Sequence, residues 1–546
     1  MMRFPLAPRL AAIAALLALP AAGQLSGTGS EMFVENDIGV YGPLAEDEFG
    51  ASLAAGDFNG DGADDLATGV PHDDNSSGNP RPNSGIVIIR YGNRPNGLAN
   101  GVTTAIISQA GGGSPDPPEE GDSLGHALAA GDFDGDGYDD LAVGIPWDRA
   151  GEKGSVQVHY GNVGGLALSP GQWFHQDSPG IGDTGETRDT FGFALAVGDF
   201  DHDGYDDLAI GVPTEDVPLG MAGEVDNGGM VQTLYGSALG LDASRSQTFH
   251  QNVPGMDGDV ESQDLFGWAL AAGDFDGDLH GDLAIGVRGE NDHAGGVQFL
   301  YGGATGLGVT GNELWTQNDP GMPPDDEEQF DDFGSSLAAG DFNGDSFDDV
   351  AAAAPGENLP IVGGEALDAG AVQIFRGSAS GLVPTVLWTE DSLDVPGVVG
   401  QLHQFGFALA AGDFARDGTA DLAIGVPGQN AGHGPLEGWV VVLPGRAVAG
   451  GLTGQGSVAW RQGVAGLPGP GEQGDEFGSS LTAADFDGNG FADLAIGAPR
   501  ESTIFTGDGA EWAIYGTWPP LPFADGFETG NTNKWAGKYP CGGPCA

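Results

Sequence analysis

The sequence predicts an all-β chain folded as a seven-bladed β-propeller of four-stranded blades. Three observations carry this. First, the stretch from Phe49 to Pro71 recurs, and its first loop aspartate, Asp57, returns as Asp132, Asp199, Asp274, Asp341, Asp413 and Asp485, at separations of 75, 67, 75, 67, 72 and 72 residues. Units of that length are too long for a solenoid coil and suit a blade with long loops. Second, each unit divides into four short apolar segments separated by glycine-rich turns, with no helical periodicity. Third, Met32 to Asp37 resembles the segments that end a unit, such as Leu314 to Asp319, whereas nothing of that kind follows the last unit. An N-terminal strand that completes the last blade closes a ring and leaves no sheet edge at the seam.

The four segments follow in order. The first is of the Ser-Leu-Ala-Ala-Gly type, small enough to crowd around a central channel. The second is the Asp-Leu-Ala-Ile-Gly-Val-Pro type, as in Asp207 to Pro213. The third ends in an aromatic residue and glycine: Ile86 to Gly92, Val156 to Gly161, Val231 to Gly236 and Val297 to Gly302; in the last unit it is Glu511 to Tyr515. The fourth is predicted at Trp173 to Gln176, Phe249 to Gln251 and Trp315 to Gln317. Part of the chain's 100 glycines is spent on the turns between them.

Composition narrows the function classes. The 546 residues carry 80 Asp and Glu against 17 Lys and Arg, a formal charge of −63. Such a surface repels phosphate, which excludes nucleic acid and disfavours anionic membranes. With 40% hydrophobic residues the chain can still build a core, so the charge is not that of a disordered protein.

The ends read separately. Residues 1–23 have the form of a secretory signal peptide: Arg3 and Arg9, an apolar run from Leu10 to Leu19, and the small residues Ala21, Ala22 and Gly23. That run is too short to span a bilayer, and no other stretch is apolar enough to do so. The expected divisions are therefore a signal peptide at 1–23, the propeller at 24–516 and a tail at 517–546. The tail opens with Pro519, Pro520 and Pro522 and holds both cysteines, Cys541 and Cys545. These residues permit a small disulfide loop, free thiols or an intermolecular bridge.

Each unit contains Asp-x-Asp/Asn-x-Asp/Asn-Gly-x-x-Asp. Hard oxygen donors at positions 1, 3, 5 and 9, with the backbone carbonyl of position 7, can wrap one Ca2+, and glycine at position 6 permits the sharp turn. The predicted ligands of the first unit are Asp57, Asn59, Asp61, Ala63 and Asp65. The second has Asp132, Asp134, Asp136, Tyr138 and Asp140, and the third Asp199, Asp201, Asp203, Tyr205 and Asp207. In the fourth they are Asp274, Asp276, Asp278, His280 and Asp282, with Leu279 in the glycine position. In the fifth they are Asp341, Asn343, Asp345, Phe347 and Asp349, with Ser346 there. The sixth is degenerate, since Ala415 stands at position 3 beside Arg416 and leaves Asp413, Asp417, Thr419 and Asp421. The seventh has Asp485, Asp487, Asn489, Phe491 and Asp493. The loop opens like an EF-hand but lacks the glutamate at position 12, where the first unit has Thr68. Asp, Asn and Gly also make ordinary turns. Against that, adjacent carboxylates about 4 Å apart repel by roughly 1 kcal/mol per pair even in water, and seven such loops ask for a counter-cation.

The Phe-Gly opening, the aspartate loop and the Gly-x-Pro ending resemble the FG-GAP repeats of the integrin α-subunit propeller, over about residues 31–516. The resemblance implies seven blades with calcium between the first and second strands, and ligand recognition on the opposite face. The chain departs from that family in carrying the loop in all seven units, and it lacks an integrin's downstream domains and membrane helix, so receptor signalling is not implied. Strand alternation independently places the uniform Tyr-Gly-x-x-x-Gly-Leu connections on the calcium face. The variable connections, Asp73 to Ser84, Gly111 to Asp122, Glu215 to Asn227 and Glu357 to Ala369, fall on the other. No His-Glu-x-x-His, Gly-x-Ser-x-Gly or phosphate-binding loop occurs, and Asp325 to Glu328 reads as a solvated acidic loop rather than a glycosidase pair. The expectation is an exported, non-catalytic calcium-binding interaction or adhesion module for an extracellular protein or glycan. A propeller lyase or hydrolase and a purely structural matrix component are the alternatives.

Overall fold

The computed structural model describes residues 24–35, 46–74, 82–98, 104–109, 117–148, 152–219, 223–322, 328–429, 436–447, 450–463, 466–503 and 507–517. The expected signal peptide, the tail beyond Thr517 with both cysteines, and residues 325–327 of the acidic loop lie outside them.

Seven four-stranded antiparallel sheets form the blades. Blade 1 runs Ser52–Gly56, Asp65–Val70, Ile86–Arg90 and Thr104–Ile107; blade 3 runs Ala194–Gly198, Asp207–Val212, Met230–Tyr235 and Asp242–Phe249. Blade 7 takes Ser480–Ala484, Asp493–Ala498 and Ala510–Thr517 from the C-terminal side of the chain and its outer strand, Gln24–Phe33, from the N-terminal side. That strand pairs antiparallel with Ala510–Thr517, with an irregularity between Ser26 and Glu31. The first strands neighbour one another around the whole ring, Ser480–Ala484 lying beside Ser52–Gly56. Ring closure by the N-terminal strand is thus as predicted, although the strand lies earlier than the Met32 to Asp37 segment expected for it.

Two further differences are local. The Trp/Phe-x-Gln segments mark the ends of the fourth strands rather than the strands themselves, which in blades 3 and 4 begin at Asp242 and Gly308. A four-residue helical turn, Glu290–His293, interrupts the all-β pattern between the second and third strands of blade 4.

The core lies between blades rather than within one. Leu141, Val143 and Ile145 of blade 2 pack on Ala67, Val87 and Ile89 of blade 1, and the clusters of the other blade pairs repeat this. Every second strand is therefore buried on both faces, from Asp65–Val70 to Asp493–Ala498, which explains its unbroken apolar run. The seam also sets its glycine. A Cβ on Gly211 would stand 2.2 Å from the carbonyl oxygen of Gly267 in the next blade, and one on Gly144 2.1 Å from that of Gly192.

Candidate metal centre

All seven aspartate loops fold alike between the first and second strands. The position-1 carboxylate turns inward and accepts backbone N–H groups of its own loop. Asp132 takes those of Asp136 (3.1 Å) and Gly137 (2.9 Å), and Asp199 those of Asp203 and Gly204 (both 3.0 Å). Position 6 is left-handed throughout, with φ of +88° at Gly137 and +89° at Gly204. Leu279 (φ 74°) and Ser346 (φ 72°) adopt the same conformation without glycine's freedom, so the loop geometry is retained at a cost in strain.

Position 9 is the buried wall of the site. Asp207 accepts the N–H groups of Phe200 and Gly236, both at 2.8 Å, and Asp140 those of Phe133 (3.0 Å) and Gly161 (2.8 Å). Burial outweighs these bonds, and the other loop carboxylates add repulsion. Asp65, Asp140, Asp207 and Asp493 are pushed up to about 8, and Asp282, Asp349 and Asp421 to about 7. A site that favours protons this strongly at its wall favours a divalent cation for the same electrostatic reason.

In four loops, three carboxylate oxygens come within 4.8 Å of one another: Asp132, Asp134 and Asp136; Asp199, Asp201 and Asp203; Asp274, Asp276 and Asp282; Asp485, Asp487 and Asp493. In blades 1 and 5 the position-3 amide partly replaces the missing charge. Asn59 donates to Asp65 (3.2 Å) and Asn343 to Asp349 (3.1 Å). The position-7 residues, Ala63, Tyr138, Tyr205, His280, Phe347, Thr419 and Phe491, donate their N–H to the position-5 side chain, as Tyr138 does to Asp136 (3.1 Å). In the sixth loop Asp413 still accepts from Asp417 and Gly418, both at 2.9 Å. Arg416 leaves that loop and donates to the carbonyl oxygen of Asn489 (2.9 Å) in the seventh. These oxygens fit a hard cation such as Ca2+, which takes six to eight oxygen ligands.

Two features escape the motif. Arg245, on the fourth strand of blade 3, forms an ion pair with Asp201 and reaches Asp203 at 3.6 Å, so the loop that is complete in sequence carries a cation of its own. The position-8 aspartates act between blades: Asp139 accepts the N–H of Asp57 (2.8 Å), Asp206 that of Asp132 (2.9 Å), Asp348 that of Asp274 (3.0 Å) and Asp64 that of Asp485 (2.7 Å). The last of these staples the ring closed.

A second recurrent polar site lies on the opposite face and was not foreseen. At each blade boundary a residue after the fourth strand meets one just before the Phe-Gly opening and one just after the second strand of the following blade. The sets are Gln109, Asp122 and Asp148; Gln176, Asp189 and Glu215; Gln251, Asp264 and Glu290; Gln317, Asp331 and Glu357; Gln462, Asp475 and Glu501; and, rearranged, Glu390, His403 and Gln429. The amide binds the carboxylate across the boundary, for example Gln176 to Glu215 (2.6 Å) and Gln317 to Glu357 (2.7 Å). In the rearranged set Glu390 meets the imidazole of His403 at 2.7 Å. The signal was present in the sequence, because the second and third members are always 26 residues apart.

The face opposite the calcium loops also carries an aromatic arc at the mouth of the channel. His126, Phe193 and Trp268 begin their inner strands there. The Phe193 and Trp268 rings lie 4.7 Å apart, and the Arg288 guanidinium sits 4.3 Å above Trp268. Phe407, one place after the Phe-Gly of blade 6, is exposed.

Comparison with known proteins agrees with this architecture. The FG-GAP repeat family matches at residues 49–89, 124–159, 191–233, 266–300, 333–375 and 477–511. Blade 6, with its degenerate loop, lies outside those matches. Integrin alpha-PS2 of Drosophila melanogaster is 33% identical over 246 residues, 44% of this chain and 15% of that protein. Integrin alpha-7 of Homo sapiens is 32% identical over 169 residues, 30% of this chain and 12% of that protein. Phosphatidylinositol-glycan-specific phospholipase D of Rattus norvegicus is 35% identical over 170 residues, 30% of this chain and 18% of the enzyme. The chain thus corresponds to less than a fifth of each of these relatives. Among the described residues no helix is long and apolar enough to cross a membrane. With six matching repeats, seven blades and integrin α relatives, the chain belongs to the FG-GAP repeat family as an integrin α-like β-propeller.

Proposed function

We propose that this chain is an exported, calcium-stabilised interaction module that binds an extracellular protein or glycan without transforming it. The observation that carries the calcium reading is the convergence of three carboxylates within 4.8 Å in the loops of blades 2, 3, 4 and 7. Calcium there is structural, pinning the innermost hairpin of each blade. At ten times Kd each occupied site adds about 1.4 kcal/mol to the folded state. The fifth and first loops bind with an amide ligand, and the sixth binds least.

The ligand face is the opposite one. It carries the variable connections, including two short hairpins, Val217–Pro218 with Glu224–Val225 and Leu359–Ile361 with Gly364–Ala366, and the aromatic arc around the channel mouth. Half-buried aromatic rings beside an arginine make favourable anchors for a protein or sugar surface. Export follows from the expected leader at 1–23, and integrin α relatives fit an extracellular setting.

The test has two parts. The purified chain should melt at a markedly lower temperature in excess chelator and recover on calcium addition; an unchanged melt removes the calcium reading. Surface binding to an array of extracellular-matrix proteins and glycans should be lost in the Trp268→Ala variant with its melt preserved. Binding that survives there but fails on altering the calcium face would reverse the assignment of faces.

The phospholipase D match supports a second reading, a hydrolase acting on phosphodiesters. Its outcome is separable: turnover of a phosphodiester panel by the purified chain, abolished by substitutions outside the loops, would replace the binding reading.

A further inference from the structure

The seventh blade boundary, where the ring closes, differs from the six others. Its set is Glu35, just after the N-terminal strand, Asp47, just before Phe49-Gly50, and Asp73, just after the second strand of blade 1. Elsewhere the three members always include a glutamine, and the arrangement is either one amide with two carboxylates or one amide with a Glu–His pair. Here all three are carboxylic acids. They are also buried: Glu35 is 2% exposed, Asp47 1% and Asp73 3%. One oxygen from each lies within 4.8 Å of the other two.

The decisive side chain is Glu35. Among the described residues, neither of its carboxylate oxygens has a hydrogen-bond donor, although both are buried. Its neighbours are the carboxylates of Asp73, Asp47 and, further out, Asp508, so its contact with Asp47 is acid against acid. Asp508 is itself held by the N–H (2.8 Å) and hydroxyl (2.7 Å) of Thr503 and adds only its charge. At the equivalent place Gln176 and Gln251 donate their amides, and Glu390 meets a histidine and Gln429. The substitution of Glu for Gln at position 35 removes that donor and adds a charge in one step. A buried carboxylate without a partner is costly by several kcal/mol, and a cation standing among the three would remove that cost at Glu35.

We propose that Glu35, Asp47 and Asp73 form an eighth divalent-cation site, distinct from the seven loops and on the opposite face, that fixes the N-terminal strand of blade 7 against blade 1. Three hard oxygen donors with no nitrogen or sulfur select Ca2+. The three ligands come from three different places: the N-terminal strand of blade 7, the entry to blade 1 and the exit of its second strand. All three lie on the N-terminal side of the ring closure, so a cation among them holds the outer strand of blade 7 against blade 1, in the position where that strand pairs with Ala510–Thr517. The loop ligands of each site come from a single blade, whereas the ligands of this site come from two, the end of the outer strand of blade 7 and the body of blade 1.

The inference stands apart from the loop reading, and one experiment separates them. Calcium bound to the full chain is counted by equilibrium dialysis and metal analysis for the native protein, Glu35→Gln, Asp47→Asn and the loop variant Asp132→Asn/Asp136→Asn. Glu35→Gln restores the amide that five other boundaries carry, so it should fold. It is expected to bind one equivalent of Ca2+ fewer than the native chain. In chelator it should melt a few degrees higher, because the buried charge is gone, and show a smaller calcium-induced rise. Limited proteolysis in chelator should release the N-terminal strand from the native protein first and spare it in Glu35→Gln. Asp47→Asn should also lose one equivalent. An unchanged count in both seam variants overturns the proposal, and a higher melt in chelator with that unchanged count assigns the site to shared protons instead. Loss of calcium in the loop variant tests the loops alone, so either reading can fail without the other.

Discussion

Arg245→Ala separates the two cations that compete for the third loop. In the folded chain the Asp201 side chain is 4% exposed and paired with Arg245, which is itself 40% exposed, while Asp203 lies 3.6 Å from the guanidinium. The guanidinium also stands 4.8 Å above the Tyr235 ring. A charge-assisted bond to a buried acid is worth about 1.5–3 kcal/mol, and the more exposed contact with Asp203 at most about 1 kcal/mol after solvent screening. Taking about 2 kcal/mol for the whole, removal of Arg245 in chelator should lower the melting temperature by about 2–4 °C for a ring of this size. In saturating calcium the loss disappears, because the guanidinium has left the loop in the native protein as well. The cation no longer has to displace the arginine, and the same 2 kcal/mol appears as a roughly 30-fold tighter site. Differential scanning calorimetry in chelator and a calcium titration by isothermal calorimetry read the two effects. A chelator melt unchanged from the native protein, together with a superimposable calcium titration, would refute both the competition and the place of Asp201 and Asp203 in a cation site.

Four other perturbations are informative. Leu279→Gly relieves a left-handed leucine that is 65% exposed and should stabilise the protein by about 1 kcal/mol, read as a higher urea midpoint; a lower midpoint would mean that the side chain packs. Gly211→Ala places a Cβ 2.2 Å from a neighbouring backbone oxygen and should cost at least about 2 kcal/mol in the same denaturation. Ala353→Gly, at the one blade that has alanine in that position, should cost no more than about 1 kcal/mol. Glu215 is pushed up to about 10 by burial first and then by Asp189 and Asp183. The folded state therefore keeps a proton that the unfolded chain releases above about 4.5. Its stabilising contribution is complete at acid pH and declines as pH rises between those values, by up to about 1.4 kcal/mol per unit. Glu215→Gln should flatten the fall in chelator melting temperature between pH 5 and 9; an identical slope would show that the pair does not titrate in that window.

Much of the fold was legible because the repeat is a direct image of the blade. Seven copies of the first loop aspartate set the blade count, and the offset between Met32 and Tyr515 announced the closure. The extent of the fourth strands was not legible. Asp242 to Gln247 is polar and half exposed at the rim of blade 3, so it lacks the apolar run by which the buried second strands reveal themselves. The loop ligands were legible as a local pattern, and the structure brings three carboxylates together in four of the loops. Arg245 was not, since it lies 44 residues from Asp201 and no local rule joins them. The boundary sets were visible as a 26-residue interval, but without neighbouring blades in view the interval had no chemistry attached.

Whatever is periodic in this protein can be read along the chain: the all-β class, seven blades, the aspartate loops and the dominance of carboxylate oxygen. Each of these follows from interactions within about seventy residues, which repetition makes visible. What happens between blades emerges only in the folded ring. It brought an arginine onto a loop that looked complete, set position-8 aspartates as staples, and gathered Glu35, Asp47 and Asp73 at the one boundary where an amide is missing. The physical reason is that a propeller packs its core between repeats, so a residue's partner belongs to the next blade and its charge balance is settled only when the ring closes.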